Sequence, residues 1–401
     1  MNFNRILLAV ILMSVIGCNQ PQQNTNNSNA ILINPDQNVT KKLSEYSEYI
    51  NIVNLNRPNT DIIGEINVVK TFGDYIFIHD ALSTALLCYD RNSGNIKFSI
   101  KDKGRGPGEI QLISDFRVNE LENVLEVMDS GNRKLLKFAF DGSFISESQT
   151  GFLGHYFESI DPNSYVIYSN YQQNENNCNL YIVDKHNFKV KTILLPISKG
   201  YEDFSLLYHV HFNKSGENRL LFSEMHDNKI YCIENNSLKV KYQIDFKDKN
   251  IPSEIKKELS NNPPPMNQMI YLNKLSESEY CHSIHSFFEI NGLLGFIFAQ
   301  NKKVKVFLRN SKSKSAIIDK IILDNNIELD SKFVLLKDGY MYLVINGPSM
   351  VQYQKTLYER FKENEIQAQN QSNSFLSELF KISEDVNEDS NPCIIEVKIK
   401  L

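Results

Sequence analysis

The chain has 401 residues, of which 41% are hydrophobic and 23% are charged. These proportions are typical of a soluble globular protein and exclude a polytopic membrane protein, a collagen and a wholly disordered chain. Lysine and arginine number 43 against 48 aspartates and glutamates, which gives a formal net charge of -5. Because no excess positive charge can neutralise a phosphate backbone, the composition argues against a nucleic-acid partner.

The N-terminus has the features of an export signal. Arg5 is the only charged residue before an apolar run from residue 6 to residue 16, and this run is too short to span a bilayer. It ends in Val15-Ile16-Gly17-Cys18, which resembles the lipobox of bacterial lipoproteins, where cleavage precedes a cysteine that is then diacylated. We predict a lipoprotein signal peptide over residues 1–17 and lipidation at Cys18. The alternative is a secretory signal followed by an incidental cysteine.

Residues 18–45 are predicted to be the lipidated cysteine and a flexible tether. Residues 19–30 are uncharged and rich in Asn and Gln, a composition that cannot build a core. The first acidic residue is Asp36, whereas surface-exposed lipoproteins of the Bacteroidota type usually carry an acidic cluster directly after the cysteine. We therefore expect a cell-envelope protein that is anchored in the outer membrane by its lipid and faces the periplasm.

The cysteines after Cys18 are far apart and include no CxxC pair, so a zinc or redox site is not expected. They are Cys88, Cys178, Cys232, Cys281 and Cys393. Cys88 and Cys232 lie within apolar strands, which favours buried thiols that act as small hydrophobic residues. One disulfide remains an alternative in an exported protein.

From residue 46 the chain shows short alternating apolar runs that are broken by Asn, Asp, Gly and Ser, as in strands and turns. The clearest internal repeat aligns Ile76–Asp80 with Leu125–Asp129, and four weaker copies begin near residues 165, 219, 294 and 340. Six strand-rich units of about 40–50 residues predict an all-β fold, a six-bladed β-propeller over residues 46–401. A β-solenoid or two β-sandwiches are the alternatives.

Two segments interrupt the pattern, near residues 250–282 and 350–390, and both are predicted to be short helical insertions on the propeller. The second contains an apolar stripe at helical spacing, formed by Phe375, Leu376, Leu379, Phe380 and Ile382. This stripe is expected to pack on the protein's own fold; a partner-binding helix is the alternative.

A family resemblance rests on several segments: Tyr49–Leu55, Ile62–Ile66, Tyr75–Asp80, Gly104–Glu109, Asp227–Tyr231, Lys241–Phe246 and Asn391–Lys400. The chain resembles the six-bladed β-propeller lipoproteins of Bacteroidota, whose blades are similar to NHL and TolB-like repeats. That family has no established common activity, so the resemblance implies a fold and a location rather than a chemistry. Cys393 and the 250–282 segment depart from the family pattern.

The segment Gly104–Glu109, with the sequence GRGPGE, is the most specific part of the resemblance. It is rich in glycine but lacks the Lys-Ser/Thr and the following helix of a phosphate-binding P-loop. It is interpreted as a connector between blades, with direct ligand contact as the alternative. Arg105 and Glu109 of this segment are candidate binding residues.

Asp80, Asp129 and Arg133 complete the candidate binding set. The two aspartates occupy equivalent turns of the first two repeats, where a carboxylate can accept hydrogen bonds from turn amides instead of binding a ligand. Arg105 and Arg133 lie in connectors, where they could face an acidic or sugar ligand or be solvated cations.

The histidines offer a weaker signal. His209 and His211 alternate on one apolar strand and could begin a metal site, but zinc needs further ligands, and His226, His282 and His285 cannot be placed from the sequence. Hydrogen-bonded histidines without metal are the alternative. No catalytic residue, metal site or cofactor is predicted, and the motifs GxSxG, HExxH, EF-hand and the dinucleotide fingerprint are absent.

The function predicted from the sequence is a membrane-anchored binding or interaction module whose partner is a peptide, a glycan or another protein. The alternative is a metal-dependent propeller hydrolase or lyase of the lactonase type, and a sensor-linked ligand domain is a third possibility. A structural prediction accompanies this: Tyr49–Leu55 and Cys393–Ile399 lie in the sixth blade with Tyr340–Ile345, so that the N-terminal strand closes the ring.

Overall fold

The computed structural model describes residues 29–37, 41–56, 61–152, 154–197, 201–202, 212–224, 227–258, 266–323, 326–362 and 374–401. The predicted signal peptide, Cys18 and His226 lie outside the described residues. So does the His209–His211 pair.

Three elements precede the first complete blade. They are strand β1 (Asn29–Leu32), helix α1 (Leu43–Tyr46) and strand β2 (Ser47–Asn54). Both strands join blades that the chain builds much later.

Blades 1 to 3 are consecutive four-stranded antiparallel sheets. Blade 1 consists of β3 (Ile66–Phe72), β4 (Tyr75–Asp80), β5 (Ala85–Asp90) and β6 (Ile96–Ile100). Blade 2 consists of β7 (Ile113–Asn119), β8 (Val124–Asp129), β9 (Lys134–Ala139) and β10 (Phe144–Gln149). Blade 3 consists of β11 (Tyr156–Asp161), β12 (Ser164–Tyr168), β13 (Cys178–Asp184) and β14 (Val190–Pro196).

Blades 4 to 6 follow the same plan, with helices between them. Blade 4 contains β15 (Asn213–Lys214), β16 (Arg219–Ser223), β17 (Lys229–Glu234) and β18 (Ser237–Asp245), and it is followed by α2 (Ser253–Glu258) and α3 (Met266–Glu277). Blade 5 contains β19 (His282–Ile290), β20 (Leu293–Gln300), β21 (Lys303–Arg309) and β22 (Ser315–Ile318), and the small hairpin β23 (Ile321–Ile322) and β24 (Glu328–Leu329) follows it. Blade 6 contains β25 (Lys332–Lys337), β26 (Tyr340–Ile345) and β27 (Cys393–Ile399), with α4 (Gly347–Lys362) and α5 (Ser374–Glu384) inserted before β27.

Local sequence explains the tight hairpins. Asn291-Gly292 joins β19 to β20 with both φ angles positive, at 48° and 77°. Asn235-Asn236 joins β17 to β18 in the same way, at 50° and 56°. Two consecutive residues with positive φ form the turn that matches the twist of paired strands, and Asn and Gly tolerate this conformation best.

The core is divided among the interfaces between neighbouring blades. Within the described chain there are six hydrophobic clusters, and each joins two adjacent blades. Phe77 of blade 1 packs with Phe116 of blade 2, for example, and Ile394 of blade 6 packs with Ile76 of blade 1. Each blade therefore needs both neighbours to bury its two faces, which accounts for the closed ring.

The closure prediction is confirmed. Strand β2 pairs antiparallel with β27, from Ser47 opposite Ile399 to Asn54 opposite Cys393, and β27 pairs with β26. The N-terminal strand is therefore the outermost strand of the last blade. This pairing covers the outer edge of β27 and gives blade 6 its fourth strand.

The tether predicted over residues 18–45 is too long, and the propeller boundary predicted at residue 46 is too late. Strand β1 pairs parallel with β18, from Asn29 opposite Tyr242 to Leu32 opposite Asp245, and becomes the fifth strand of blade 4. The physical reason is burial: Ile31 and Ile33 retain only 1% and 2% of their exposure and pack between blades 4 and 5.

Residues 29–37 contact blades 4 and 5, and residues 41–46 contact blade 6; we call these two stretches together the N-terminal strap. The Lys305 ammonium of blade 5 donates a hydrogen bond to the Pro35 carbonyl at 2.9 Å. Lys42 then forms a parallel bridge with Ile322 before α1 begins. The strap therefore holds three blades from outside.

Both helical insertions are confirmed, and they pack on the propeller. Phe375, Leu376 and Leu379 of α5 are buried in the cluster between blades 5 and 6, and Phe380 and Ile382 are partly buried against it. Helix α3 packs between blades 3 and 4 through its buried side chains. None of the helices in the described part of the chain is long and apolar enough to span a membrane.

The five cysteines in the described residues are free thiols. Cys88, Cys178, Cys281 and Cys393 are buried, and Cys232 is half-buried. Burial raises the pKa of Cys88 and Cys281 to about 12, which keeps these thiols protonated and unreactive. The interpretation as a buried, small hydrophobic side chain is confirmed for Cys88, whereas Cys232 is only partly buried against the cluster between blades 4 and 5.

Candidate functional site

A cavity of about 260 Å³ lies among the innermost strands, and we call it the axial cavity. Strands β3, β7, β11, β15 and β25 all contribute to it, each being the first strand of its blade. Its apolar wall consists of Val69, Val118, Phe157, Phe212 and Leu335. Its polar lining consists of Lys70, Asp115, Glu120, Glu158, Asn213, Lys214, Lys337 and Asp338.

An ion pair between blades 1 and 2 occupies one side of the axial cavity. The Lys70 Nζ lies 3.0 Å from Asp115 Oδ1, and Lys70 also donates to the Phe116 carbonyl. Asp115 Oδ2 accepts the Phe157 amide of blade 3 at 3.1 Å. Burial raises the pKa of Asp115, and the nearby Lys70 ammonium and backbone donors oppose that shift. The Asp115 carboxylate therefore links blades 1, 2 and 3 through partners within the protein.

A second charged network lies behind Glu158. Arg117 donates to Glu158 and also to Glu126 Oε2, the latter at 2.8 Å. Burial alone would lower the pKa of Arg117, but the two carboxylates outweigh it and raise that pKa. On the same interface burial lowers the pKa of Lys185 to about 8, and its Nζ donates to Ser159 Oγ at 2.6 Å. Glu158 is thus also paired inside the protein.

The polar groups from blades 4 and 6 are less engaged. The Asn213 Nδ2 is enclosed and has no hydrogen-bond partner. Lys337 lies 4.0 Å from Asp338, at the limit of an ion pair. This side of the axial cavity therefore offers a donor and a cation that the fold itself does not use.

Asp80 and Asp129, two of the residues singled out from the sequence, are fully buried at equivalent positions. Asp80 accepts the Gly64 and Glu65 amides at 3.1 and 2.8 Å, and the Ser83 hydroxyl at 2.6 Å. Burial would raise the pKa of Asp80, but these hydrogen bonds outweigh burial and hold the pKa below its ordinary value.

Asp129 repeats this arrangement one blade later. It accepts the Gln111 and Leu112 amides at 2.9 and 3.0 Å, and Asn132 Nδ2 at 2.7 Å. Each aspartate thus holds the connector that enters its own blade. This agrees with the alternative raised from the sequence, in which both carboxylates accept hydrogen bonds from turn amides instead of binding a ligand.

The Gly104–Glu109 segment connects β6 of blade 1 to β7 of blade 2, in agreement with its interpretation as a connector. The Glu109 carboxylate folds back and accepts the Gly106 amide at 2.8 Å. A Cβ at Gly104 would lie 2.0 Å from Glu109 Oε2, so a side chain at this position would displace the Glu109 carboxylate. The Arg105 side chain is exposed, while its carbonyl accepts a hydrogen bond from Lys134 Nζ at 3.1 Å.

Arg133 is exposed and lines a separate groove between blades 2 and 3, together with Phe152, Tyr181 and Phe188. The structure places Arg105, Glu109, Arg133 and Asp129 around one connector, since Asn132 Nδ2 donates to the Gly104 carbonyl at 2.8 Å. None of the five candidates from the sequence lines the axial cavity.

Sequence reasoning missed the axial cavity residues. Most of them lie on first strands far apart in the chain, and each of these strands contributes only two. One signal was present: the first strands of blades 1 and 2, INVVKTF and ISDFRVN, carry charged residues within the strand, among them Lys70 and Asp115. These charged residues could have been assigned to a cavity only if the strand of each repeat that lies nearest the propeller axis had been known.

The described histidines form no metal centre. Burial is the largest cause that lowers the pKa of His79 and His282 to about 4 and of His285 to about 3, so these imidazoles are neutral near pH 7. The described residues contain no group of three His, Cys, Asp or Glu side chains placed to hold a metal ion.

Residues 29–398 match a protein-family model whose description is "Domain of unknown function (DUF4934)". The chain belongs to the DUF4934 family. The match begins at β1 and ends in β27, so the strap is part of the family domain as well as of the ring. A search of curated proteins found no match.

Solved structures share the fold of this DUF4934 protein. A protein of Bacteroides fragilis NCTC 9343 described as a candidate exported protein aligns with a TM-score of 0.70 and 18% identity, over 93% of this chain and 99% of that one. A DUF4221 family member from Bacteroides vulgatus ATCC 8482 aligns with a TM-score of 0.53 and 9% identity, over 88% and 97%. At these identities the likeness concerns the fold alone.

Proposed function

We propose that this DUF4934 protein is a cell-envelope binding module that takes a small ligand, or a protruding segment of a peptide, glycan or protein, in its axial cavity. One observation carries the proposal. Five first strands converge on a cavity with an apolar wall, and one side of its polar lining is not used by the fold. Pockets that combine apolar walls with a few convergent polar groups are the usual form of ligand sites.

The proposed location rests on the sequence. The apolar run and Cys18 support export and lipid anchoring in the outer membrane, with the propeller in the periplasm. Replacing Cys18 by Ser should abolish fatty-acid labelling and release the protein from the membrane fraction, because the acyl chains supply the membrane affinity. Retained labelling and membrane association would contradict the lipobox interpretation.

The binding function is tested by filling the axial cavity. Val118 lines the cavity and is half-buried, so Val118→Trp should occupy its volume. Leu121→Trp is the matched control, because Leu121 is 93% exposed and lies outside the cavity lining. Both variants and the wild type are incubated with extract of the native cell envelope, and retained compounds are identified by mass spectrometry.

The expected result is a compound retained by the wild type and by Leu121→Trp but not by Val118→Trp. Thermal unfolding of the three proteins shows that each is folded. Equal retention by all three folded proteins would place binding elsewhere and overturn the proposal.

A further inference from the structure

We propose that the ligand of the axial cavity carries a carboxylate, bound by Asn213, Lys214 and Lys337. This inference rests on the proposed function and specifies the chemistry of its ligand. The ligand is a small amphipathic acid, with its anion on the side of blades 4 and 6 and its apolar part against the cavity wall.

The first argument is the Asn213 amide. Its Nδ2 is enclosed and has no acceptor. A buried donor without an acceptor costs free energy, and native structures rarely leave one unexplained. A ligand oxygen in the axial cavity would satisfy this donor.

The second argument is the state of the charged groups. The carboxylates of Asp115 and Glu158 already have Lys70 and Arg117 as partners. By contrast Lys214 forms no ion pair among the described residues, and Lys337 reaches only Asp338, at 4.0 Å. The cations left for a ligand are therefore Lys214 of β15 and Lys337 of β25.

The third argument separates an amphipathic acid from an inorganic anion. Phe157 and Leu335 are buried apolar members of the wall, and Phe212 extends it beside Asn213. A hydrated inorganic anion would gain nothing from these surfaces, whereas the apolar part of an organic acid would displace water from them. Glu120, Asp338 and Lys214 of the lining are all exposed, so solvent and salt screen these three charges. Lys337, whose side chain is 32% exposed, is therefore the main cation for the ligand.

The test uses three probes and measures binding by isothermal titration. The probes are 3-phenylpropanoate, its neutral amide 3-phenylpropanamide, and inorganic phosphate. The wild type should bind the acid at least about tenfold more tightly than the amide, and also more tightly than phosphate.

Two variants remove the proposed donors. Lys337→Met should weaken binding of the acid by about tenfold and leave binding of the amide nearly unchanged, because only the acid carries a charge. Asn213→Leu should weaken binding of both probes, because each has an oxygen that can accept from Asn213 Nδ2. Lys312→Met, at an exposed lysine outside the cavity lining, should bind the acid like the wild type. Since either residue could affect folding, thermal unfolding accompanies each titration.

The outcomes separate this inference from the proposed function. If the wild type binds acid and amide equally and Val118→Trp binds neither, the ligand does not need a carboxylate, although the axial cavity remains the binding site. That result would overturn this inference alone. If Val118→Trp binds the acid as the wild type does, the acid binds outside the axial cavity. That result would count against both this inference and the proposed function. Preference for phosphate, or no binding of the acid by folded wild type, would also overturn the inference.

Discussion

Glu396 of β27 and Arg91 of blade 1 form an ion pair across the seam where the ring closes. The Arg91 Nε lies 2.9 Å from Glu396 Oε1 and 3.0 Å from Oε2. Oε2 also accepts Asn51 Nδ2 of β2 at 2.9 Å. One carboxylate, on a residue that is 1% exposed, therefore joins the last strand, the N-terminal strand and the first blade.

Arg91→Met should leave the buried Glu396 carboxylate without its cation. Because the Arg91 side chain is 26% exposed, we expect a loss of about 1–3 kcal/mol in the free energy of unfolding, less than for a fully buried pair. Glu396→Gln keeps an acceptor for Asn51 and removes the charge, so the double variant should lose less than the sum of the two single variants.

Urea unfolding of the four proteins measures this coupling. Lys101→Met is the control, because Lys101 pairs with Asp61 at the surface, where such pairs contribute little. Strictly additive losses for Arg91→Met and Glu396→Gln would show that the two side chains do not cooperate at the seam.

The N-terminal segment should contribute to stability in steps. In a chain that begins at residue 19, removing residues 19–28 should change the melting temperature little, because these residues are predicted to be tether. Removing residues 19–33 should lower it further, since β1 and the buried Ile31 and Ile33 are then lost. Removing residues 46–56 within the chain should cause the largest loss, well beyond the about 1 kcal/mol of a typical point change, because blade 6 loses β2.

Thermal unfolding of the three truncations gives the comparison. Equal melting temperatures for the chains that begin at residues 29 and 34 would show that β1 does not stabilise the fold. An unchanged melting temperature without residues 46–56 would contradict closure by β2.

Lys70→Met should destabilise the protein most near neutral pH. The variant leaves Asp115 buried without its cation, at an expected cost of about 1–3 kcal/mol. The folded-state pKa of Asp115 lies above its unfolded value of about 3.9 and should rise further in the variant. Falling pH protonates the folded state first, so the loss should shrink with acidification.

Urea unfolding of wild type and Lys70→Met over a pH series measures that trend. Lys97→Met, at a half-exposed lysine paired with Asp90, is the control and should show a small difference at every pH. A loss that grows as the pH falls would contradict the assignment.

Asp80→Asn should show the opposite dependence on pH. The folded-state pKa of Asp80 is held below its ordinary value, so its contribution is present above about pH 3.9 and is lost as the pH falls through the folded value. The variant should lose about 1–3 kcal/mol at neutral pH, because Asn presents one acceptor to donors that Asp binds with two. Below about pH 3.9 the curves of variant and wild type should converge.

The matched measurement is Asp102→Asn, which changes an exposed aspartate in the following connector and should leave stability unaltered. A constant difference between Asp80→Asn and wild type down to low pH would show that the Asp80 charge is not what stabilises the connector.

The sequence predicted the blades because alternation of apolar and polar residues is a local property of a strand. It also predicted closure, since Tyr49–Leu55 and Cys393–Ile399 both alternate and a ring needs a last partner. It did not reveal β1: four residues in an Asn-rich run have no pattern of their own, and only the edge of β18 makes Asn29–Leu32 a strand. The axial cavity could not be predicted for a related reason: its lining residues, such as Lys70 and Lys337, come to line one cavity only in the folded ring of six blades.

The late-synthesised partners of β1 and β2 also constrain when the protein can fold. Asn51 bonds to Glu396, 345 residues further along the chain. At synthesis rates of roughly 5–20 residues per second, tens of seconds separate the appearance of these two residues. Throughout that interval β2 has no strand to join, and β1 waits for β18. The finished ring is consequently a property of the completed chain alone, and a chain interrupted before β27 keeps β2 unpaired.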